Sequence, residues 1–231
     1  MSSGNDLSPR LQAVAAMIPN GSIPADIGSD HAHLPVALIS SGCCHRVIAT
    51  DMNIGPLERA REKVKGAGLT KRIELRLGNG LEVLKRGEVD VIICAGMGGQ
   101  LIREILIKGV SVLASVKRLV LQPNTKADEL RLWLAANDWH LVSEELIFEK
   151  KHFYPILAAE RGKMELTYLE AEIGPVLLKE RHPLLLPYLH KRLKTLKNAV
   201  SKMKLAKEID HKKLNRLQTL IQELEELKRC L

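Results

Sequence analysis

Cysteines and long apolar runs are both scarce in this sequence. Its 231 residues contain four cysteines, two of them adjacent at positions 43 and 44, and their spacing suits neither a metal site nor a disulfide framework. We therefore expect reduced thiols and no bound metal. No apolar run approaches the roughly 20 residues that span a bilayer, and the first residues lack the basic and apolar regions of a signal peptide. These absences predict a cytoplasmic protein without a membrane partner.

Acidic residues are outnumbered by basic ones. Lys and Arg total 35 and Asp and Glu total 27, which gives a formal charge of +8. The excess is concentrated from residue 160 onward, where there are 16 basic and 10 acidic residues. This charge favours a polyanionic partner such as nucleic acid, although many basic proteins bind none. With 45% hydrophobic residues, the chain is long enough for one α/β domain and a smaller unit.

The segment 25–35 has the pattern of a buried strand that turns directly into a helix. A doubly wound α/β sheet binds an adenosine-bearing ligand at this first turn. Asp26 and Asp30 flank Gly28 there, whereas a pyrophosphate site requires three glycines and free helix N-terminal amides. The carboxylates would repel a dinucleotide but could bind an amino group, a ribose hydroxyl or a sulfonium-bearing amino acid, which favours S-adenosylmethionine. The alternative is an ordinary turn in which Gly28 adopts a positive φ and Asp30 caps the helix.

Strands and helices alternate through the first 137 residues. Ser8 as N-cap and Pro9 as first helical residue begin the first helix. We expect strands over residues 22–27, 46–50, 72–77, 89–94 and 117–121, helices over about 32–41, 54–66, 99–108 and 128–137, and a closing hairpin of strands 139–148 and 152–160. This order predicts an α/β fold with a Rossmann-like, doubly wound and mostly parallel sheet that has an antiparallel strand at its edge.

Polar residues and glycines follow the predicted strands, at ends that meet on the carboxyl edge where open α/β sheets bind ligands. Asp51 is placed to accept hydrogen bonds from ribose hydroxyls, or is a solvated loop residue. Asn79 is a candidate for contact with an adenine edge, or part of a tight turn. In segment 95–99, Gly96 allows a flat ligand to approach and Met97 offers a thioether against it. The alternative there is a glycine-rich helix entry with Met97 in the core.

Three motifs together resemble one family. Asp-Ile-Gly-Ser-Asp-His-Ala at 26–32, Ala-Gly-Met-Gly-Gly at 95–99 and Leu-Gln-Pro-Asn at 121–124, followed by a helical extension, are similar to the bacterial tRNA (adenine-22-N1)-methyltransferases. The resemblance implies a class I S-adenosylmethionine-dependent methyltransferase with a coiled-coil tail, which methylates N1 of an adenine in the D-loop region of tRNA. The cofactor site that it implies consists of Asp26, Gly28, Asp30, Asp51, Asn79, Gly80 and Gly96. We add Met52 and Met97 as further candidates. The sequence departs from the family motif at His33, where the motif has tyrosine.

Methylation of adenine N1 leaves the ring cationic, so the enzyme must position the base and stabilise the product. Segment 95–99 contains no side chain that can accept a proton, and the polar group must therefore come from elsewhere. The candidates are Asp30, His31, Gln122, Asn124 and Arg10. We place His31 and Asp30 first, although a histidine beside a helix start is more often a capping or packing residue. Tyr154 is a candidate for stacking on an extruded adenine, whereas core packing suits Phe153.

The chain changes character after Glu160. We predict a cofactor-binding methyltransferase domain over 1–160 and a helical, tRNA-binding extension over 161–231. Apolar residues from Leu193 onward keep one heptad phase, and Lys207 and Asp210 interrupt it, which predicts an antiparallel coiled-coil hairpin within a monomer; a dimeric coiled coil is the alternative. The basic residues that would clamp tRNA phosphates, or form only a solvated face, are Lys191, Arg192, Lys194 and Lys197.

Three other functions stay open at this point. Another RNA or small-molecule N-methyltransferase would use the same site. A nicotinamide-dependent oxidoreductase would share the fold and Asp51, but the first loop lacks the glycines that such an enzyme needs. A non-catalytic RNA-binding adaptor would explain the charge and the tail, yet would leave the polar strand ends unexplained.

Overall fold

A seven-stranded sheet forms the centre of the molecule, of which the computed structural model describes residues 7–205 and 210–231. Its strands are β1 (Pro24–Ile27), β2 (Val47–Asp51), β3 (Ile73–Leu77), β4 (Val91–Gly98), β5 (Arg118–Thr125), β6 (Trp139–Glu149) and β7 (His152–Arg161). They lie in the order β3-β2-β1-β4-β5-β7-β6. Neighbours among β1 to β5 are parallel, and β7 is antiparallel to both β5 and β6. The predicted Rossmann-like, mostly parallel sheet is confirmed, with the antiparallel strand β7 between β5 and the edge strand β6.

Helices cover both faces of the sheet. Those in the described residues are α1 (Pro9–Ala16), α2 (His33–Ser40), α3 (Ile54–Gly66), α4 (Gly99–Lys108), α5 (Val110–Leu113), α6 (Ala127–Ala136), α7 (Tyr168–Ile173), α8 (Pro175–Lys179), α9 (Leu185–Lys204) and α10 (His211–Cys230). The start of α1 is as predicted, since Pro9 is its first residue and Ser8 Oγ accepts a hydrogen bond from the Leu11 amide at 3.4 Å.

Two apolar layers hold the helices to the sheet. Alternate residues of one strand enter different layers: Ile92 of β4 packs with Ile102 of α4, and Ile93 packs with Leu38 of α2. All four are at most 1% exposed. Because both faces of the central strands are buried, the strands are apolar at nearly every position. The sheet edge is therefore the place where polar residues can collect.

The strand β4 runs further than predicted. We expected it to end at Cys94, with a glycine-rich loop after it, but it continues to Gly98. Gly96 has a φ of 81°, and register shifts on both sides of Met97 keep β4 paired with β5, which itself continues through Gln-Pro-Asn to Thr125. A glycine with positive φ permits such a bulge, which leaves Gly96 itself without a strand partner while pairing continues on both sides of it. The loop prediction was wrong because apolar patterning does not reveal a bulge.

The last two helices run in opposite directions. His190 near the start of α9 lies beside Arg229 near the end of α10, and the connection spans only a few residues. Asp210 caps α10 by accepting a hydrogen bond from the Lys213 amide at 2.9 Å. The predicted hairpin is therefore present in outline, while its coiled-coil character and the domain boundary at 160 stay predictions. Lys207, the other predicted interruption, lies outside the described residues.

A buried ion pair joins the sheet to the helical extension. Arg131 of α6 donates to Glu144 of β6 at 2.7 Å, and both side chains are fully buried. The Arg131 guanidinium also donates to the carbonyl of Ala171 at 2.9 Å, and Glu144 accepts from the amide of Val176 at 2.9 Å. One pair of opposite charges thus binds the backbone of both α7 and α8.

We expect Glu144→Gln to lower the free energy of unfolding by about 3 to 5 kcal/mol, because it leaves the Arg131 charge buried without a partner. Urea unfolding followed by circular dichroism measures the change. The double variant Arg131→Met, Glu144→Leu should recover part of the loss, since no buried charge remains. As a control, Glu74→Gln breaks pairs with Arg46 and Arg76 in which the Glu74 side chain is 44% exposed, and it should cost at most about 1 kcal/mol. Equal losses for Glu144→Gln and Glu74→Gln would contradict this account.

Candidate active site

A cavity of about 310 Å³ opens at the carboxyl edge, between the ends of β1 and β4. This is the position where the strand order of the sheet reverses, and open α/β sheets bind ligands there. Helix α1 and the start of α2 close its sides. The residues that line it are Arg10, Leu11, Asp26, Gly28, Ser29, Asp30, His31, His33, Leu34, Ala95, Gly96 and Met97. The structure therefore brings together the predicted residues of the first and fourth strand ends.

Asp26 is the buried charge of this cavity. The residue is 4% exposed, and no Lys or Arg in the described part of the chain forms an ion pair with it. Burial raises the pKa of Asp26 to about 6, and repulsion by the nearby Asp51 carboxylate adds to the effect. A carboxylate kept from water without a cation is poorly stabilised. It would gain most from a ligand that brings a positive charge.

The backbone around Gly28 allows a ligand to approach closely. Gly28 has a φ of 69°, and Asp30 and Ala32 also adopt positive φ, at 47° and 53°, a conformation that is costly for residues with a Cβ atom. A Cβ at Gly28 would collide with the methyl group of Met97 across the cavity. The helix α2 begins at His33, one residue after the predicted start, and it has no side-chain cap. The alternative in which Asp30 caps this helix is therefore wrong.

Asp51 lies at the end of the neighbouring strand β2 rather than among the residues that line the cavity. It is 8% exposed, and its two oxygens accept hydrogen bonds from the backbone amides of Asn53 at 2.9 Å and Asp30 at 3.3 Å. Asp51 therefore shapes the turn that carries Asp30. Each carboxylate oxygen has a second lone pair that a ribose hydroxyl could use. The adjacent Met52 is 67% exposed.

Asn79 and Gly80 lie apart from the main cavity. They line a separate depression of about 30 Å³ against α4, and the Asn79 side chain donates to Glu82 at 3.3 Å. A Cβ at Gly80 would come within 3.0 Å of Ile105. The predicted contact of Asn79 with adenine stays a prediction, since the structure does not bring Asn79 and Asp26 into one cavity.

Three of the five catalytic candidates form one hydrogen-bonded network. Gln122, which is fully buried, accepts from Arg10 and from the amide of Gly96 at 2.9 Å. Gln122 donates to the side-chain oxygen of Asn124 at 3.1 Å, and Asn124 donates to the carbonyl of Gly96 at 2.7 Å. The Arg10 guanidinium lies 5.4 Å from the ring centroid of Tyr154. The network fixes the Gly96 bulge and places Tyr154 beside it.

The other two candidates lie at the mouth of the cavity. His31 Nε2 is 3.5 Å from the Asp30 carboxylate, and Arg59 of α3 is 3.6 Å from the same oxygen. The ring of His33 packs edge-on against His31, with centroids 5.8 Å apart. Sequence reasoning missed Arg59, because nothing local in α3 distinguishes it from the other exposed basic residues of that helix.

The four predicted phosphate-binding residues are not equivalent. Arg192 pairs with Glu172, and Lys197 pairs with Glu225 at 2.6 Å. Lys194 is exposed and forms no ion pair within the described residues, and it lines an open basic cleft between α9 and α10 that Lys228 and Arg229 also line. Of this set, Lys194 is thus the residue with its charge most available.

Within residues 7–205 and 210–231, no three His, Cys, Asp or Glu side chains are grouped as metal ligands. No helix in the same residues is long and apolar enough to cross a membrane.

Comparison with known proteins gives one family. A family model described as tRNA (adenine(22)-N(1))-methyltransferase matches residues 24–226. The Bacillus subtilis tRNA (adenine(22)-N(1))-methyltransferase is 42% identical over 186 residues, which cover 78% of each chain. The crystal structure of the B. subtilis m1A22 tRNA methyltransferase superposes with a TM-score of 0.88 at 36% identity, over 96% of this chain and 99% of that one.

A Mycoplasma capricolum member of the same family was solved in complex with S-adenosylhomocysteine, described as the natural cofactor product. It has a TM-score of 0.83 and 30% identity, over 96% of this chain and 98% of that one. The match of the family model over most of the chain agrees with the fold and with the cavity at the carboxyl edge. This chain therefore belongs to the tRNA (adenine(22)-N(1))-methyltransferase family.

Proposed function

We propose that this protein transfers the methyl group of S-adenosylmethionine to N1 of adenine 22 in tRNA, at the cavity between β1 and β4. The observation that carries this proposal is the buried Asp26 carboxylate, which lines that cavity without a Lys or Arg partner among the described residues, in a chain that belongs to this family. Incubation with unmodified tRNA and S-adenosylmethionine, followed by nucleoside mass spectrometry, should detect N1-methyladenosine. Detection of a different methylated nucleoside would favour another RNA N-methyltransferase.

The residues of the cavity fit the proposed cofactor. Asp26 would bind the ammonium group of S-adenosylmethionine, because pairing with a cation removes the cost of the buried charge. Gly28 and Gly96 leave room for the rest of the cofactor. Further along the same edge toward β3, Asp51 with Met52 would contact the ribose, and Asn79 with Gly80 would contact the adenine. When bound, S-adenosylmethionine supplies a methyl group on a positively charged sulfur. An NAD pyrophosphate would instead bring negative charge to Asp26 and Asp30, which disfavours the oxidoreductase.

The remaining residues act on the adenine. Asp30 at the cavity mouth would stabilise the positive charge that the ring acquires, and His31 would orient that carboxylate. Arg10, Gln122 and Asn124 position the Gly96 bulge, and Tyr154 would stack on the base once it leaves its stem. In this arrangement, positioning rather than proton abstraction is the main catalytic contribution, since N1 attacks through its own lone pair.

Phosphates of the tRNA would contact the basic extension. Lys194, Lys228 and Arg229 are the residues with available charge in the cleft between α9 and α10, and Lys191 extends the basic surface on the other flank of α9. Apolar residues of α9 and α10 pack in one cluster within the chain, which supports a monomer, and methyl transfer from a sulfonium requires no metal. A tRNA substrate is also consistent with a cytoplasmic protein.

Asp26→Asn should lower the affinity for S-adenosylhomocysteine at least tenfold, because an amide cannot pair with an ammonium group. The same variant should raise the free energy of unfolding by up to about 3 kcal/mol above pH 6. Burial raises the pKa of the Asp26 carboxyl from its ordinary value of 3.8 to about 6 in the folded protein. The ionised carboxylate therefore costs stability at high pH, and this cost disappears as the pH falls toward 4.

Isothermal titration at pH 8 measures the affinity, and thermal unfolding at pH 4.5 and pH 8 measures the stability difference. Glu58→Gln, which changes an exposed carboxylate of α3, is the matched control and should alter neither. A stable variant with wild-type affinity would remove Asp26 from the cofactor site.

Asp30→Asn and His31→Gln should each reduce the single-turnover rate of methylation more than tenfold while changing tRNA affinity less than twofold. Arg59→Gln removes the ion-pair partner of Asp30 but keeps its carboxylate, and should reduce the rate less than threefold. Rapid-quench assays and filter binding give the two quantities. A parallel loss of rate and affinity would identify Asp30 or His31 as a binding residue instead.

The double variant Lys194→Ala, Lys228→Ala should flatten the dependence of tRNA affinity on salt. Each lost phosphate contact lowers the slope of log K against log salt by about 1. Fluorescence anisotropy between about 50 and 200 mM salt, a range over which the Debye length falls roughly twofold, measures the slope. The double variant Lys65→Ala, Lys71→Ala, at two exposed positions outside the extension, is the control with the same loss of charge, and an equal effect there would show that net charge alone is responsible.

A further inference from the structure

A second cavity lies beside the candidate active site, on the other side of Asn124. Its volume is about 430 Å³, and it is bounded by the end of β5, the first turn of α6, the strand β7 and the helix α9. Asn124 lines this cavity, and its side chain donates at 2.7 Å to the carbonyl of Gly96, which lines the first one. The two cavities therefore share a wall. An occupant of the second would be an immediate neighbour of an adenine in the first.

One side of the second cavity is aromatic. Phe153 lines it, and the ring of Tyr188 packs edge-to-face against Phe153 with centroids 5.5 Å apart. Phe148 supports Phe153 from the hairpin at 4.7 Å without lining the cavity. The exposed imidazole of His152 lies at the same rim. A supported aromatic surface that is partly open to solvent suits a planar ring, which stacks on it with little regard to sequence.

The rim carries one available positive charge. Lys191 lies with its ammonium 5.7 Å from the Phe153 centroid and donates to the carbonyl of Lys151 at 2.5 Å. Lys191 forms no ion pair within the described residues, whereas Arg192 pairs with Glu172 and Lys126 pairs with Glu129. The cation beside the aromatic ring is thus free for a phosphate. A ring surface with one adjacent cation matches a nucleotide rather than an uncharged planar ligand.

We propose that this cavity binds the unpaired nucleobase adjacent to the target adenine, stacked on Phe153, with its phosphate on Lys191. The proposal rests on the proposed tRNA substrate. When the target nucleotide leaves its stem, its neighbour loses a stacking partner, and the aromatic surface replaces that contact. The cavity volume lies within the roughly 300 to 1,000 Å³ of ordinary ligand pockets. Phe153 is then a positioning residue, because it acts on the target adenine through the neighbouring nucleotide.

The test uses three tRNAs assembled from synthetic strands: one intact, one abasic at the 5′ neighbour of the target and one abasic at the 3′ neighbour. Wild-type kcat/KM should fall about tenfold on one of the two abasic tRNAs. Phe153→Leu keeps apolar volume but removes the aromatic surface. The kcat/KM of Phe153→Leu should be about tenfold below that of the wild type on intact tRNA, and it should fall no further on that abasic tRNA. Tyr168→Leu, at a ring of α7 that is 60% exposed and does not line the cavity, is the matched control and should behave as wild type.

Two results would overturn the proposal. One is equal wild-type activity on all three tRNAs. The other is the same fractional loss for Phe153→Leu on intact and abasic tRNA, which a purely structural role of Phe153 would give. Lys191→Met, at an exposed position, gives a second test. Its kcat/KM on intact tRNA should be about threefold below that of the wild type, and removal of the neighbouring base should lower it about tenfold more. Absence of N1-methyladenosine in intact tRNA treated with wild-type enzyme would instead overturn the proposed function, and this assignment with it.

Discussion

Two opposite charges that are fully removed from water determine how the helical extension is attached. Arg131 and Glu144 each lose their hydration, and this loss is tolerated only because they bind each other and the backbone of α7 and α8. A second pair, Arg192 with Glu172, continues the contact to α9. The position of α9 against β7 depends on these pairs, and so does the aromatic cavity between them. The same interaction that stabilises the fold thus places a basic helix beside the end of β5.

The sequence was most informative where structure is local. Ser8 and Pro9 begin α1 because capping depends on adjacent residues, and the apolar runs predicted the parallel strands because both faces of the sheet are buried. The end of β4 could not be predicted in this way. Its bulge at Gly96 depends on pairing with β5, which lies more than 20 residues later in the chain. Likewise Arg131 and Glu144 resemble ordinary surface charges in the sequence, since neither shows its partner.

The candidate site was predictable in part for a topological reason. Asp26, Gly28, Gly96 and Met97 line one cavity because parallel strands place their carboxyl ends on one edge. The contribution of Arg10 depends on α1 packing beside β5 and β7, a long-range contact without a local signal. Asn79 lies in a depression of its own, since β3 is two strands away from β1. The basic stripe of α9 was visible in the sequence, but which of its cations are already paired was not.

If Asp26 binds the ammonium group of the cofactor as proposed, it would link the lifetime of the protein to the supply of that cofactor. A buried, ionised carboxylate makes the ligand-free state less stable than the same fold would be without it, and a bound cationic ligand reverses that penalty. A ligand at 100 times its dissociation constant stabilises the folded state by about 2.7 kcal/mol. Proteolysis that acts through the unfolded state would then slow about a hundredfold when S-adenosylmethionine is abundant. The amount of enzyme in a cell would follow the concentration of methyl donor without any regulatory protein.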